Sequence, residues 1–194
     1  MRTLTCMTVL LSLLLGVETR TAAAQIPAPV DLRIQNIPQQ TQVWCWAAVA
    51  QQIIAAIQGP QGTPPQCALV AQAYGAPPDA CCAGYGNPAC VRTGSMTQVQ
   101  GLIRAFGGRP SQLAPPTDPM TLYQTLASGR AVILHVRSGV SSTHVVVLRG
   151  MAFVPNGWGG IEPVLYVNDP MAYYTQPVPF RTLIPIWLEA LVVS

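Results

Sequence analysis

One stretch of sequence decides the fold, Pro38-Gln39-Gln40-Thr41-Gln42-Val43-Trp44-Cys45-Trp46-Ala47-Ala48-Val49-Ala50, in which a cysteine lies between two tryptophans. A helix that begins here would present unpaired N–H groups and partial positive charge to Cys45, which favours a thiolate over a thiol. Such a cysteine is suited to nucleophilic chemistry. The alternative is a buried structural cysteine, since free cysteine is among the most buried residue types.

The apolar run that follows predicts an amphipathic helix over residues 44–57, ended by Gly59-Pro60. Its apolar positions follow the i, i+3, i+4, i+7, i+11 spacing of one helix face: Trp46, Val49, Ala50, Ile53 and Ile57. Because adjacent residues of a helix point in different directions, Trp46 can enter the core while Cys45 borders a cleft. We therefore interpret the tryptophans as packing residues around Cys45.

The first 24 residues have the pattern of a secretory signal peptide. Arg2 supplies the positive start, residues 8–17 the apolar core, and Ala22-Ala23-Ala24 the small-residue cleavage site. We predict cleavage before Gln25 and a single domain over residues 25–194. The apolar core is too short to span a bilayer comfortably, so we expect a soluble protein without a membrane anchor, secreted or periplasmic in a bacterium.

Charge is sparse in the predicted mature chain. It carries eight arginines, no lysine and six acidic residues, a formal net charge of +2. This balance is too small and too scattered to indicate binding to nucleic acid or to a membrane surface. We predict no metal or cofactor and expect a monomer.

Five cysteines remain after signal removal, and four of them cluster in one Pro/Gly-rich region: Cys67, Cys81, Cys82 and Cys90. In an oxidising compartment we expect these four to form two disulfides. A bond between the adjacent cysteines 81 and 82 would be strained. Two pairings stay open, 67–81 with 82–90 or 67–82 with 81–90. Zinc ligation is disfavoured because the spacing lacks the paired short gaps of structural zinc sites. Cys45 is then the free thiol.

Helices dominate the first half of the chain and strands the second. Besides the first helix, we predict helices over 67–74, 95–106 and 118–128, and strands over 131–136, 144–149, 164–167 and 186–193. The absence of regular βαβ alternation indicates an α+β class.

A thiol nucleophile needs a base, and the base needs a group that orients it. Only two histidines are available. His135 lies within the apolar run 132–136, which predicts a satisfied interior histidine. His144 follows the turn-like Ser141-Ser142-Thr143 and begins a strand, where it can face a cleft. We therefore choose His144 as the base.

The orienting group is predicted from hairpin register. Asn156-Gly157 is typical of a two-residue hairpin turn. Folding about this dipeptide places His144 opposite Asp169 and leaves Asn156 at the far tip, up to ~40 Å away. Asn168 is the second choice, since a slip of one residue would reverse the side that faces the base.

These motifs together resemble the papain-like cysteine peptidase superfamily. The residues that carry the resemblance are Gln39, Trp44-Cys45-Trp46-Ala47-Ala48, Gly129-Arg130-Ala131-Val132, His144-Val145-Val146-Val147 and Val167-Asn168-Asp169-Pro170. The chain is most similar to the compact bacterial branch that includes double-glycine leader peptidases and secreted effector proteases. The resemblance covers essentially the whole mature chain in the order Gln, Cys, His, Asp.

The resemblance implies a helical lobe with the nucleophile Cys45, a β lobe with the base, and a cleft between them. It implies that His144 acts as general base and then acid, that Asp169 orients it, and that the Gln39 amide and the Cys45 N–H form the oxyanion hole. Gln40 is the fallback for Gln39. The chain departs from papain-type enzymes in having Asp where they use Asn, and we interpret the papain-like signature over residues 156–159 as accidental.

The expected activity is hydrolysis of peptide bonds in a peptide or protein substrate. An acyltransferase with the same triad is an alternative, because the acyl-enzyme can pass its acyl group to an amine. A second alternative is a catalytically idle papain-like module that binds a protein partner. A thiol-redox protein is disfavoured because Cys45 has no CxxC partner.

Overall fold

The computed structural model describes residues 26–83 and 87–194, so the predicted signal peptide lies outside the described residues. The helices are α1 (Cys45–Gln58), α2 (Gln66–Ala73), α3 (Met96–Leu102), α4 (Pro119–Ala127) and α5 (Phe180–Leu183). The strands are β1 (Val30–Asp31), β2 (Ser111–Ala114), β3 (Ala131–Arg137), β4 (Thr143–Pro155), β5 (Ile161–Asn168), β6 (Val178–Pro179) and β7 (Trp187–Val193). Short 3-10 or π turns occupy Pro60–Gly62, Ile103–Gly107 and Ile184–Ile186.

Helix α1 begins at Cys45 and ends at Gln58, within one residue of the predicted bounds. Its apolar face is buried, with Trp46 and Ile53 each 2% exposed. Gly59 follows with φ +85°, a conformation that few other residues adopt, and Pro60 cannot continue the helix. The local signals for this helix were sufficient, and its prediction is confirmed.

Helices α2 and α3 pack against α1 and form a helical lobe with it. Ser95 caps α3 in a reciprocal arrangement with Gln98, which explains why this helix begins where residues 95–106 predict it. The disulfides are Cys67–Cys82 and Cys81–Cys90, which decides between the two pairings that the sequence leaves open.

The β lobe is one antiparallel sheet of seven strands in the order β2-β7-β3-β4-β5-β6, with β1 paired to β4. Alternate residues of β3 face opposite sides: Ile133 packs in the cluster under α1–α3, and Leu134 in the cluster with α4 and α5. Helix and antiparallel sheet are thus combined as the predicted α+β class requires. The strands β1, β2 and β6 and the helix α5 were not predicted, and each is four residues or shorter.

The β4–β5 hairpin folds where Asn156-Gly157 predicts it, but its turn is longer. The turn occupies residues 156–160, and the Asn156 N–H donates to the Gly160 carbonyl at 2.8 Å. The papain-like signature over 156–159 therefore lies at the tip of the hairpin, as expected.

The longer turn changes the register of this hairpin. The longer turn shifts the pairing of β5 along β4, and a bulge at Arg149 reduces this shift by one residue. As a result, Val147 pairs with Asn168. Continuing the ladder places Asp169 opposite Val146, two residues from its predicted partner. Because side chains alternate with a period of two, an even shift leaves the predicted pair on the same side of the sheet.

An N-terminal strap, residues 32–39, connects the β lobe to α1. Its start is held by the Leu32 N–H, which donates to the Arg149 carbonyl at 2.8 Å, and its middle by Asn168, whose side chain donates to the Ile34 carbonyl at 2.7 Å. Within residues 26–83 and 87–194, none of the helices is long and apolar enough to cross a membrane.

Candidate active site

A cleft of about 850 Å³ lies between the two lobes, and Cys45 and His144 both line it. Helix α1 presents Cys45 at its first position, and the start of β4 presents His144. Cys45 is half-buried and is the one free cysteine in the described part of the chain. The two lobes therefore bring the predicted nucleophile and the predicted base to one cavity.

The predicted base is bonded to the predicted orienting group. His144 Nε2 lies 2.6 Å from Asp169 Oδ1, and the two side chains are 3% and 0% exposed. An ionised carboxylate only accepts, so Nε2 carries the hydrogen in this bond. The other ring nitrogen, Nδ1, is buried without a hydrogen-bond partner in the described structure. Nδ1 is thus the ring atom available to a thiol or a substrate.

Electrostatics favour a charged ring at this site. Burial alone would lower the pKa of His144, but the hydrogen bond with Asp169 and the neighbouring Cys45 outweigh it and raise the pKa to about 9. Burial would likewise raise the pKa of Asp169, yet the bond from His144 and the Met171 N–H hold that pKa below its usual range. The pair is therefore an imidazolium and a carboxylate at neutral pH.

The turn after β5 holds Asp169 in place. The Asp169 carboxylate accepts the backbone N–H groups of Met171 at 2.8 Å, Tyr173 at 2.8 Å and Tyr174 at 3.1 Å. A buried carboxylate with this many donors is fully solvated by the protein and has little freedom to rotate. Asn168, the second choice, donates to the strap carbonyl of Ile34 instead.

The strap links Asp169 to the nucleophile helix through one asparagine. Asn36 donates its side-chain amide to the Asp169 carbonyl at 3.1 Å and accepts from Gln52 Nε2 at 3.0 Å. Gln52 lies on α1 and is 1% exposed. The backbone of Asp169 in one lobe and the cysteine-bearing helix in the other are therefore joined by a path of two hydrogen bonds, which sequence patterns did not indicate.

The predicted oxyanion-hole residue does not line the cleft. Gln39 Nε2 donates to the Thr41 carbonyl at 2.7 Å, and its Oε1 is buried without a partner in the described structure. The fallback, Gln40, is exposed, and its backbone N–H donates to Gln66 Oε1. Gln42 lines the cleft instead. The oxyanion role of Gln39 stays a prediction.

The tryptophans pack as predicted, and they also hold one wall of the cleft. Trp44 donates its indole N–H to the Cys90 carbonyl at 2.9 Å, and Trp46 donates to the Arg92 carbonyl at 3.1 Å. Gly94 lies directly on the Trp46 indole, where any Cβ would collide with the ring. Because Cys90 is bonded to Cys81, this disulfide and the two indoles together position the wall formed by residues 93–95.

One prediction about the histidines is partly wrong. His135 is satisfied as predicted, since its Nδ1 lies 3.1 Å from Glu189 Oε1, but it is not interior: its side chain is 24% exposed and lines the cleft. The apolar run around it does form a central strand, but position 135 lies where the strand reaches the cleft. Tyr173 also lines the cleft and lies edge-on to the His144 ring, with 5.9 Å between centroids. Its position shortly after the Asp169-Pro170 turn was the available signal.

Metal ligation has no support in the described residues. The four clustered cysteines are all in disulfides, and no group of three or more His, Cys, Asp or Glu side chains in 26–83 and 87–194 is placed to hold a metal.

Comparison with known proteins gives structural neighbours only. No protein-family model matches the chain, and a search of curated proteins finds no match. Among solved structures, one assigned to a C39-like peptidase from Bacillus anthracis aligns with a TM-score of 0.55 and 11% identity, covering 87% of this chain and 98% of the other. Digestive procathepsin L 3 of Tenebrio molitor aligns with a TM-score of 0.55 and 13% identity, covering 89% of this chain and 71% of the other.

Both neighbours are papain-like cysteine peptidases, and this chain has the papain-like fold. At these identities the comparison establishes the fold, whereas activity has to be argued from the site.

Proposed function

We propose that the chain is an exported cysteine peptidase that hydrolyses peptide or isopeptide bonds with Cys45, His144 and Asp169. One observation carries the proposal: His144 is bound to Asp169 through Nε2, and its free Nδ1 shares a cleft with a free thiol at a helix N-terminus. Nucleophile, base and orienting group have this mutual arrangement in thiol-dependent acyl transfer.

Acylation begins from an ion pair. With the pKa of His144 raised to about 9, the ring holds a proton on Nδ1 at neutral pH. A positively charged ring beside the sulfur favours attack by Cys45 as a thiolate. The sulfur attacks the substrate carbonyl, a C–S bond forms, and the carbonyl electrons move to oxygen. When the carbonyl re-forms, the C–N bond breaks, and the leaving amine takes the proton from His144 Nδ1.

The oxyanion would be stabilised by the backbone N–H of Cys45 and by the amide of Gln39. Gln39 donates one of its two amide hydrogens to Thr41, so a second hydrogen remains for the substrate oxygen. Catalytic hydrogen bonds often become well aligned only when substrate is bound. Gln42, already at the cleft, is the residue to compare with Gln39 by mutation.

Deacylation reverses the proton path. Water loses a proton to His144 Nδ1 and attacks the thioester, the C–S bond breaks, and the carboxyl product leaves with Cys45 regenerated. Asp169 remains ionised throughout and keeps the ring oriented.

Three features support export and a peptide substrate. Two disulfides form readily only in an oxidising compartment. The cleft is large enough for several residues of a peptide. Its described lining contains no Arg or Lys, which is unlike a nucleic-acid channel.

The test combines chemical labelling with proteolysis. Exported protein with intact disulfides is treated with iodoacetamide, and modification of Cys45 is followed by mass spectrometry in wild type and in His144→Ala. We expect labelling of Cys45 to be faster in the wild type. The same protein is incubated with a peptide library, with Cys45→Ala as the inactive variant and Glu162→Gln as a surface control, because Glu162 pairs with Arg181 away from the cleft.

Cleavage that is lost in Cys45→Ala and retained in Glu162→Gln supports the proposal. Amine-dependent transfer without hydrolysis would instead identify an acyltransferase. Labelling rates could also be equal in native wild type, in His144→Ala and in denaturant, with no turnover of any peptide. That result would contradict the proposal and favour the alternative of an idle binding module.

A further inference from the structure

The cleft is lined by a second histidine that is paired with a carboxylate, and the proposed mechanism does not use it. His135 lines the cleft, and Glu189 lies behind it at 3.1 Å. The two residues are Cα partners on adjacent strands, β3 and β7, so the backbone ladder itself sets them side by side. Their side chains are 24% and 38% exposed, which distinguishes this pair from the buried one.

The carboxylate determines which ring atom is left for a ligand. Glu189 accepts, so His135 Nδ1 carries the hydrogen of this bond, and Nε2 is the ring nitrogen that Glu189 does not engage. In the neutral ring, Nε2 is an acceptor. A neutral His135 ring therefore has an acceptor, Nε2, that is backed by the negative charge of Glu189.

Apart from Cys45 and His144, the residues that line the cleft around His135 are uncharged. Val145, its Cα partner on β4, lies on the cleft wall with hydroxyl-bearing residues from the loop between β3 and β4. None of the residues that line the cleft in the described structure is Arg, Lys, Asp or Glu. Arg137, two residues further along β3, is exposed and is not part of the lining. Glu189 therefore brings a carboxylate to within 3.1 Å of a ring that lines this part of the cleft.

We infer that His135 is a specificity residue that accepts a hydrogen bond from a basic side chain, arginine or lysine, of a peptide substrate, and that Glu189 acts through it as a positioning residue. The inference rests on the proposed peptidase function and names its substrate class. A guanidinium or ammonium group supplies the donor that Nε2 lacks, and its charge complements the carboxylate behind the ring.

The experiment uses fluorogenic peptides in which each position is, in turn, arginine, citrulline or norleucine. Citrulline keeps the shape of arginine without its charge. At one position we expect the wild type to prefer arginine over norleucine in kcat/KM by about tenfold, the size of one hydrogen bond to a charged group. His135→Val, a β-branched residue suited to the strand, is expected to abolish this preference. Glu189→Gln keeps an acceptor for Nδ1–H and is expected to remove the preference for arginine over citrulline. Glu162→Gln is the matched control and should keep both preferences.

Binding to Cys45→Ala protein separates this inference from the proposed function. Turnover that depends on Cys45 but keeps its arginine preference in His135→Val, or that has no arginine preference at all, overturns the inference and leaves the function intact. If no peptide is turned over, the function fails, and the same peptides are measured by calorimetry with Cys45→Ala. Arginine-selective binding that is lost in Cys45→Ala/His135→Val supports the inference, and unselective or absent binding overturns it.

Discussion

The two histidines of this chain each face a carboxylate in the same cleft, yet the two pairs are built differently. His144 and Asp169 are 2.6 Å apart with side chains 3% and 0% exposed, whereas His135 and Glu189 are 3.1 Å apart and 24% and 38% exposed. The first pair lies where β4 begins and β5 ends. The second lies across two strands within the sheet.

The carboxylates differ even more than the histidines. Asp169 accepts three backbone N–H groups in addition to the imidazole, and its own carbonyl accepts from Asn36. Glu189 is bonded to His135 alone among the side-chain hydrogen bonds of the described residues. A carboxylate held by a turn can fix a ring in one orientation, whereas a half-exposed one on a strand can adjust to a ligand. A histidine–carboxylate pair thus has the rigidity that the proposed catalytic role needs in one setting and the freedom that the proposed recognition role needs in the other.

The largest expected difference between the two pairs is in kcat after each carboxylate is replaced by the corresponding amide. Asp169→Asn should lower kcat on a neutral peptide by about 100-fold or more, because the amide can present its N–H to Nε2 and favours the wrong tautomer of His144. Glu189→Gln should lower it by at most about fivefold, since exposed pairs contribute 0–1 kcal/mol. Steady-state kinetics on one substrate checks both.

Comparable losses in the two variants would show that the pairs are functionally equivalent and would remove the distinction. Circular dichroism of both variants is the control that each still folds.

The local part of this comparison was predictable from sequence. The extent of α1 follows from helical periodicity and from Gly59-Pro60 at its end, which are local signals. His144 and Asp169 were chosen from a hairpin whose register was two residues off, because the five-residue turn and the bulge at Arg149 are not encoded in the Asn-Gly dipeptide. The two side chains still meet, because an even shift preserves the face of the sheet, and their catalytic roles stay predictions.

The part that was not predictable depends on long-range contacts. Glu189 is 54 residues from His135, and only the pairing of β3 with β7 brings them together. The orientation of the Gln39 amide depends on its rotamer against Thr41, which residue spacing does not contain. The link from Gln52 through Asn36 to Asp169 likewise needs both lobes in place.

A smaller effect on kcat is expected from removing the Asn36 side chain, whose hydrogen bonds support the buried pair and not the exposed one. Asn36→Ala removes the bond to the Asp169 carbonyl and the partner of Gln52 on α1, so the two lobes lose a shared support. We expect kcat to fall about tenfold with little change in KM, and the free energy of unfolding to fall by about 1 kcal/mol. Kinetics and urea titration measure the two quantities.

The matched control is Asn156→Ala, which also deletes an asparagine that bonds backbone groups, but at the hairpin tip. If Asn36→Ala loses stability but has the same kcat as Asn156→Ala, Asn36 has a structural role only. The buried pair would then be held rigid by the turn after β5 alone.

The smallest expected effect is a pH dependence of the free energy of unfolding that comes from the buried pair. The pKa of His144 is raised to about 9 from the ordinary value of 6.5, so the folded protein binds this proton more tightly than the unfolded chain does. The resulting stabilisation is complete below pH 6.5 and is lost as the pH rises through about 9. We expect wild type to lose on the order of 1 kcal/mol more than His144→Gln across this window, a value discounted for solvent in the cleft. Urea titrations at intervals from pH 6 to 9.5 measure this loss.

The control is His135→Gln, which shows the effect of losing an imidazole at the exposed pair. Parallel curves for wild type and His144→Gln would mean that the contacts with Asp169 and Cys45 do not favour the charged ring. The buried pair would then lack the property on which the proposed ion pair depends.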